Sequence, residues 1–193
     1  MITSPSDARP RRRFRKRWLL YAVASVLLAL LGTRLFFMWS FDKPLPPKLA
    51  AVEGFPVTLP NGRQATLGDS IRPGVPTVIS LWATWCEPCL REAPKIAELR
   101  RRFPSDKLNL VYMNVRDPFA SSEDLAQYMS RFSMPDDGYV IADDPARLSD
   151  LTRDRQNLIP HTMVFDRMGE PLASIVAYKP LALSRVAGLV ESK

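Results

Sequence analysis

The feature that most constrains the fold is an apolar run that leads into two cysteines three positions apart. Residues 77–83 (TVISLWA) are rich in β-forming side chains and follow the turn-like sequence RPGVP, which predicts a buried central strand. Apolar side chains then recur every three and four positions, which predicts a helix from about Cys86 to Phe103. The cysteine pair Cys86 and Cys89 therefore falls where a buried strand ends and a helix begins.

Strands and helices alternate along the rest of the chain. The sequence FPVTLPNGRQATL predicts two short strands around an Asn61-Gly62 turn. Further strands are expected at 108–115 and 139–143, helices at 121–132, 146–154 and 181–192, and a hairpin over 161–178. This order indicates an α/β fold with a central mixed sheet flanked by helices.

The net charge of +7 is concentrated at the amino terminus. Residues 1–17 carry seven Lys and Arg side chains and one Asp, which gives +6 and leaves +1 for all the other residues. A nearly neutral body offers no broad surface for a phosphate backbone, so nucleic-acid binding is excluded. Residues 1–17 are instead predicted to be a basic cytoplasmic tail, because positive charge stays on the cytoplasmic side of a membrane.

Residues 18–39 (WLLYAVASVLLALLGTRLFFMW) are predicted to be a transmembrane helix. The first sixteen carry no charge, and Arg34 lies near the far end, where its side chain can reach the headgroups. A cleaved signal peptide is the alternative, but no small-residue cleavage site follows the apolar run. The proline-rich residues 40–53 are predicted to be a spacer and residues 54–193 a folded domain.

Three roles compete for the cysteine pair. A structural disulfide across four residues would constrain the unfolded chain little. A metal site has only His161 to add to the two thiols, which is too few ligands for zinc but leaves copper open. Redox chemistry fits best, because a helix amino terminus stabilises the thiolate of Cys86 for attack, and Cys89 lies within reach to resolve the mixed disulfide.

Two segments resemble the thioredoxin superfamily. The sequence LWATWCEPC is similar to its active-site segment, and Pro94 matches the proline that kinks the following helix. LIPHTMVFD resembles its cis-proline segment, and WCEPCLREAP with VFDRMGEPL resembles the membrane-anchored TlpA/ResA-type thiol–disulfide oxidoreductases. The resemblance implies a thioredoxin-like fold with an N-terminal hairpin and no cofactor. The substrate-contacting residues that it implies are Trp85, Glu87, Pro88, Ile159 and Pro160.

Three positions depart from the thioredoxin pattern or refine it. Ser80 stands where thioredoxins carry a buried acid, and Glu92 matches an acid that the ResA-like branch keeps beside its thiols. Glu92 is therefore a candidate catalytic residue that assists protonation. His161 stands where threonine is usual, and two interpretations remain: a buried neutral histidine or a pH-dependent neighbour of the thiols.

The predicted function is reduction of disulfides in exported proteins. Negative charge on Glu87 and Glu92 opposes formation of the thiolate and so favours a reductant, although Glu87 also fits a solvated residue in the first helical turn. The resemblance implies clients in cytochrome c or oxidase maturation, an integral-membrane thiol reductase as electron donor, and an inner-membrane location facing the periplasm. The alternatives are copper delivery through Cys86, Cys89 and His161, a disulfide-forming oxidase, and a docking module.

Overall fold

The structure, a computed structural model, describes residues 11–40, 44–115, 117, 120–134 and 138–191. The chain divides into two compact units at residues 42 and 43. The first contains helix α1 (Arg11–Ser40), so a helix is confirmed over residues 18–39. No helix within the described ranges is both long and apolar enough to cross a membrane. The membrane span stays a prediction, and residues 1–10 of the predicted tail lie outside the described residues.

The second unit contains seven strands, four α-helices and three short 3-10 helices among its described residues. The strands are β1 (Pro56–Thr58), β2 (Gln64–Thr66), β3 (Thr77–Trp82), β4 (Asn109–Asn114), β5 (Tyr139–Ala142), β6 (His161–Phe165) and β7 (Pro171–Val176). The helices are α2 (Glu87–Arg102), α3 (Ser122–Arg131), α4 (Leu148–Thr152) and α5 (Pro180–Glu191). Every strand and helix predicted from the sequence is therefore present, with ends shifted by a few residues.

The seven strands form one mixed sheet in the order β2-β1-β5-β4-β3-β6-β7. Strands β3, β4 and β5 are parallel, whereas β6 runs antiparallel to β3 and β1 runs antiparallel to β5. The carboxyl end of β3, where the cysteines follow, thus lies between the end of β4 and the start of β6. The expected α/β fold with a mixed sheet and an N-terminal hairpin is confirmed.

Both faces of the sheet are covered by apolar side chains. Val78 and Trp82 of β3 point to one face and pack with residues of α2, α3 and α5, whereas Ile79 and Leu81 point to the other. This alternation is the period of two of a strand that is buried on both sides. Ser80 shares the face of Val78 and Trp82, and so it points towards α2.

The folded domain begins earlier than the sequence predicts. Leu49 and Val52, assigned above to the spacer, are buried with Phe55 on the second face of the sheet. The Leu49 amide donates to the carbonyl of Gly169 in the β6–β7 turn (2.9 Å). A Cβ on Gly169, whose φ is +75°, would lie 3.0 Å from the Leu49 Cβ. The predicted boundary at residue 54 is therefore wrong, because proline content alone does not reveal two buried apolar side chains.

Candidate active site

The two cysteines are held by the turn that joins β3 to α2. The Cys86 amide donates to the carbonyl of Ala83 (3.2 Å), which closes the turn after Trp82. Cys86 is the N-cap of α2, and its Sγ accepts from the Cys89 amide (3.2 Å). The two residues form a disulfide, as the redox interpretation requires. The start of the helix thus supplies an N–H group to the sulfur that is predicted to attack.

Neither sulfur-bearing residue is widely exposed. Cys86 is 4% and Cys89 is 1% exposed, whereas the neighbouring Trp85 is 59% exposed. Pro88 lies in the first turn of α2, where its missing N–H has no intrahelical partner to lose. Both cysteines are therefore buried, whereas the side chain of the adjacent Trp85 is accessible to solvent.

Glu87 has a cationic partner that the sequence argument does not include. Its carboxylate pairs with the guanidinium of Arg91 one turn later (2.5 Å), and both side chains are exposed. The positive charge of Arg91 offsets the like-charge repulsion that Glu87 exerts on a nearby thiolate. The geometry therefore favours the interpretation of Glu87 as a solvated residue in the first turn of α2. Of the two glutamates, only Glu92 then remains to disfavour the thiolate and so to favour a reductant.

Glu92 is buried at the point where the sheet meets α2. It is 2% exposed, and the Thr162 hydroxyl donates to its Oε1. Burial raises the pKa of Glu92 to about 7, while hydrogen bonds from Thr162 and Ser80 act in the opposite direction. Ser80 pairs with Thr162 across β3 and β6. The carboxyl group that position 80 lacks is thus supplied to the same place by Glu92 from the helix.

An aromatic stack lies beside this carboxyl group. The Trp82 ring stacks on Tyr112 of β4 (centroids 4.8 Å apart) and on Tyr128 of α3 (4.2 Å), and the hydroxyl groups of the two tyrosines lie 3.4 Å from each other. Burial raises the pKa of both tyrosines, and the charge of Glu92 contributes in the same direction. Stacked rings of this kind are rigid, so they fix the end of β3 from which the cysteine turn departs.

The predicted cis-proline is present. The Ile159–Pro160 peptide bond is cis, and the Pro160 carbonyl accepts from the Ala177 amide (2.9 Å). Leu81 pairs with His161, so Pro160 lies across from the end of β3, beside the cysteine turn. Ile159 is half-buried and directly precedes the cis bond, and its contact with a substrate stays a prediction.

His161 is fully buried, and its Nε2 lies 2.8 Å from the Ser174 hydroxyl of β7. This contact fits the interpretation of a buried histidine with a satisfied hydrogen bond. Within the part of the chain that the structure describes, no three His, Cys, Asp or Glu side chains cluster in a way that would hold a metal ion. The three ligands of the copper alternative are thus not brought together in these residues.

Sequence reasoning missed an aspartate that supports the cysteine turn. Asp117 is 8% exposed, and its Oδ2 accepts from both the amide (2.9 Å) and the hydroxyl of Thr84. Its own amide donates to Asn114 at the end of β4 (2.9 Å). The available signal was its position just past a buried parallel strand, the edge of a sheet where functional side chains collect.

Comparisons with known proteins agree with this geometry. The thiol-disulfide oxidoreductase ResA of Geobacillus kaustophilus is 29% identical over 106 residues, which cover 55% of this chain and 60% of that protein. The thioredoxin-like protein YneN of Bacillus subtilis is 26% identical over 118 residues, 61% of this chain and 65% of that protein. The chain thus spans less than two thirds of the length of these curated relatives.

Solved structures support the fold. StoA from Bacillus subtilis superposes with a TM-score of 0.53 at 19% identity, covering 72% of this chain and 97% of that one. A thioredoxin-family thiol:disulfide interchange protein from Chlorobium tepidum gives 0.56 at 19% identity, with coverage of 77% and 97%. A family model described as AhpC/TSA matches residues 51–174, which include the cysteine turn, Glu92 and the cis-proline. This match covers well over half of the chain, which therefore belongs to the AhpC/TSA family of thioredoxin-like proteins.

Proposed function

We propose that this chain is a thiol–disulfide oxidoreductase that reduces disulfides in exported proteins. The observation that carries the proposal is the Cys86–Cys89 pair, which opens α2 beside the cis-Pro160 loop with the carboxyl group of Glu92 buried next to it. Relatives named thiol-disulfide oxidoreductases support the same activity. The negative charge of Glu92 opposes formation of the thiolate, which favours a reductant over an oxidase.

The reaction begins with the reduced pair. The Cys86 thiolate attacks one sulfur of a client disulfide, a bond forms between Cys86 and that sulfur, and the other client sulfur leaves as a thiolate. The Cys89 thiolate then attacks the Cys86 Sγ, closes the Cys86–Cys89 disulfide and releases the second client thiolate. The client gains two electrons and the pair loses two. A membrane-bound dithiol reductase is proposed to restore the reduced pair.

Glu92 is proposed to exchange the proton that the resolving step requires. Cys89 and Glu92 are three positions apart on α2, so their side chains are neighbours on one face of the helix. With a pKa of about 7, the carboxyl group is able both to accept and to return a proton near neutral pH. It therefore takes the thiol proton of Cys89 before attack and returns one when the pair is reduced again.

A trapping experiment tests the activity. In Cys89→Ser, Cys86 still attacks but the mixed disulfide is not resolved, so exported proteins should accumulate on the variant as adducts that a thiol reductant releases. Cys86→Ser is the matched control and should trap none. Equal amounts of adduct on both variants, or none on Cys89→Ser, would contradict the proposed reductase activity. Release of oxidised clients by the parent would indicate an oxidase.

The proposal also places the domain outside the cytoplasm, anchored in the inner membrane by residues 18–39 and facing the periplasm. Sixteen consecutive uncharged residues after a basic segment support this placement. Clients in cytochrome c or oxidase maturation are proposed from the resemblance to the TlpA/ResA-type thiol–disulfide oxidoreductases. Alkaline carbonate should leave the full-length chain in the membrane pellet and detergent should release it; release by carbonate alone would contradict the anchor.

A further inference from the structure

A groove opens beside the cysteine turn, on the side away from the cis-proline. Its volume is about 490 Å³, within the range of sites that bind small molecules or short peptide segments. Thr84, two residues before Cys86, lies on one side of the groove, and helix α3 forms the other. The lining residues are Thr84, Ala120, Asp124, Gln127, Tyr128 and Arg131.

The sheet order places the groove and the cis-proline on opposite sides of Cys86. Strand β3 lies between β4 and β6, and Pro160 precedes β6. Thr84 reaches towards the β4 side, where it donates to Asp117. A client chain that contacts the Ile159–Pro160 segment on one side of its cysteine is therefore directed towards the groove on the other side.

The helix wall presents a stripe of polar side chains. Asp124, Gln127, Tyr128 and Arg131 recur at the three- and four-residue spacing that places side chains on one face of a helix. The stretch from residue 124 to 131 is about 10 Å long at 1.5 Å per residue, which matches roughly three residues of extended peptide. Tyr128 closes the floor because its ring stacks on Trp82.

The charges on this wall are not equivalent. The Asp124 carboxylate already accepts from the amide (2.8 Å) and the hydroxyl of Ser121, as part of the helix cap. The Arg131 guanidinium lies 5.4 Å from the Phe132 ring centroid, and no carboxylate among the described residues pairs with it. Asp124 keeps its negative charge, because its donors are neutral, but its oxygen is already hydrogen-bonded, whereas the Arg131 guanidinium still has N–H groups to offer a ligand.

We propose that this groove binds the client segment next to the reacting cysteine and that Arg131 selects clients with an acidic side chain there. The inference rests on the proposed function and adds a substrate preference to it. An acidic side chain of a client segment that extends along α3 is the group that the Arg131 guanidinium would bind. A carboxylate is the partner that a guanidinium binds with two hydrogen bonds.

The test compares three peptides that each contain one disulfide and differ only in the residues flanking it, which are acidic, neutral or basic. The reduced full-length protein should reduce the acidic peptide about fivefold faster than the basic one, measured as kcat/KM at low ionic strength. Arg131→Gln should remove this preference and Arg131→Glu should reverse it. Arg167→Glu is the matched control, because it makes the same change of charge on the exposed turn after β6, at the opposite end of the sheet.

Bis(2-hydroxyethyl) disulfide separates the two claims, because it is neutral and too small to occupy the groove. Arg167→Glu should reduce it at the rate of the parent, and the Arg131 variants should lose less of their rate on it than on the acidic peptide. If the parent does not reduce it, the proposed function fails, and the groove proposal fails with it. If the parent reduces it but treats the three peptides alike, or if Arg167→Glu changes the preference as much as Arg131→Glu does, the groove proposal alone is overturned.

Discussion

The two ends of strands β3 and β4 differ in how completely their buried polar groups are hydrogen-bonded. At the amino end, the Asn109 side chain accepts from the Arg72 amide (3.1 Å) and donates to the Arg72 carbonyl (2.8 Å) and the Thr77 hydroxyl (3.1 Å). At the carboxyl end, Trp82 Nε1 and Asn114 Nδ2 have no hydrogen-bond partner among the described residues. Burial also raises the pKa of Glu92 there.

This difference indicates that the amino end contributes mainly to stability and the carboxyl end to function. Buried polar groups stabilise a fold when all of them are paired, and they cost free energy when they are not. The amino end therefore holds the sheet to the preceding loop, whereas the carboxyl end keeps groups in environments that shift their chemistry. Perturbed titratable groups of this kind concentrate at reactive sites.

The largest effect on folding should come from the amino end. Asn109→Ala removes the hydrogen bonds above and leaves backbone groups of residue 72 without partners, so the free energy of unfolding should fall by about 3 kcal/mol. Reactivity of the cysteine pair should change little. Urea unfolding measures the first and reduction of a small disulfide measures the second. Asn61→Ala, at an exposed turn, is the control and should cost less than about 1 kcal/mol.

Glu92 should make stability depend on pH in a defined direction. Because its folded pKa of about 7 lies above the ordinary value of 4.5, the folded state holds the proton more tightly, and stability falls as the pH rises from about 4.5 to 7. At 1.36 kcal/mol per pKa unit, the loss is about 3 kcal/mol. Glu92→Gln keeps an acceptor for Thr162 without a titrating group, so its unfolding free energy should lack this loss. Parallel pH curves for parent and variant would refute the assignment.

A smaller effect on the rate of disulfide attack is expected at Asp117. Its variants test whether Asp117 positions the cysteine turn for reaction or only contributes to packing. Asp117→Ala frees the Thr84 amide and hydroxyl, so the cysteine turn loses its restraint and the second-order rate of disulfide attack should fall about tenfold. Asp117→Asn retains an acceptor and should lose less. Stopped-flow kinetics measures the rate. The reduction potential is the second readout, because a loss of packing at residue 117 would not by itself change it. If Asn and Ala variants match the parent in both, the restraint has no role in the reaction.

The smallest effect is expected at Glu87. Because Arg91 pairs with it in solvent, Glu87→Gln should change the free energy of unfolding by less than about 0.5 kcal/mol and leave the reduction potential close to that of the parent. Redox titration of both proteins checks this. A large shift to a more oxidising potential would restore Glu87 as a determinant of the thiolate.

The parts of the site that sequence predicts are those carried by local pattern. The strand–CxxC–helix segment and the Asn61-Gly62 hairpin each lie within a few residues, and Pro160 follows from a recognisable segment. Contacts between distant residues were not predictable, because nothing local links Thr84 to Asp117 or Glu92 to Thr162. Position 80 shows the limit clearly: the sequence reveals that an acid is missing there, and only the packing of α2 on β3 shows where Glu92 replaces it.

The most direct measurement is the reduction potential of the Cys86–Cys89 pair in the full-length protein, followed by tryptophan fluorescence against thiol–disulfide buffers. Trp85 next to the pair supplies the signal. A potential of about −250 mV or lower, near that of thioredoxin, is the value expected for a reductase that must be supplied with electrons. A potential near −120 mV would identify an oxidant and contradict the proposed direction of electron flow.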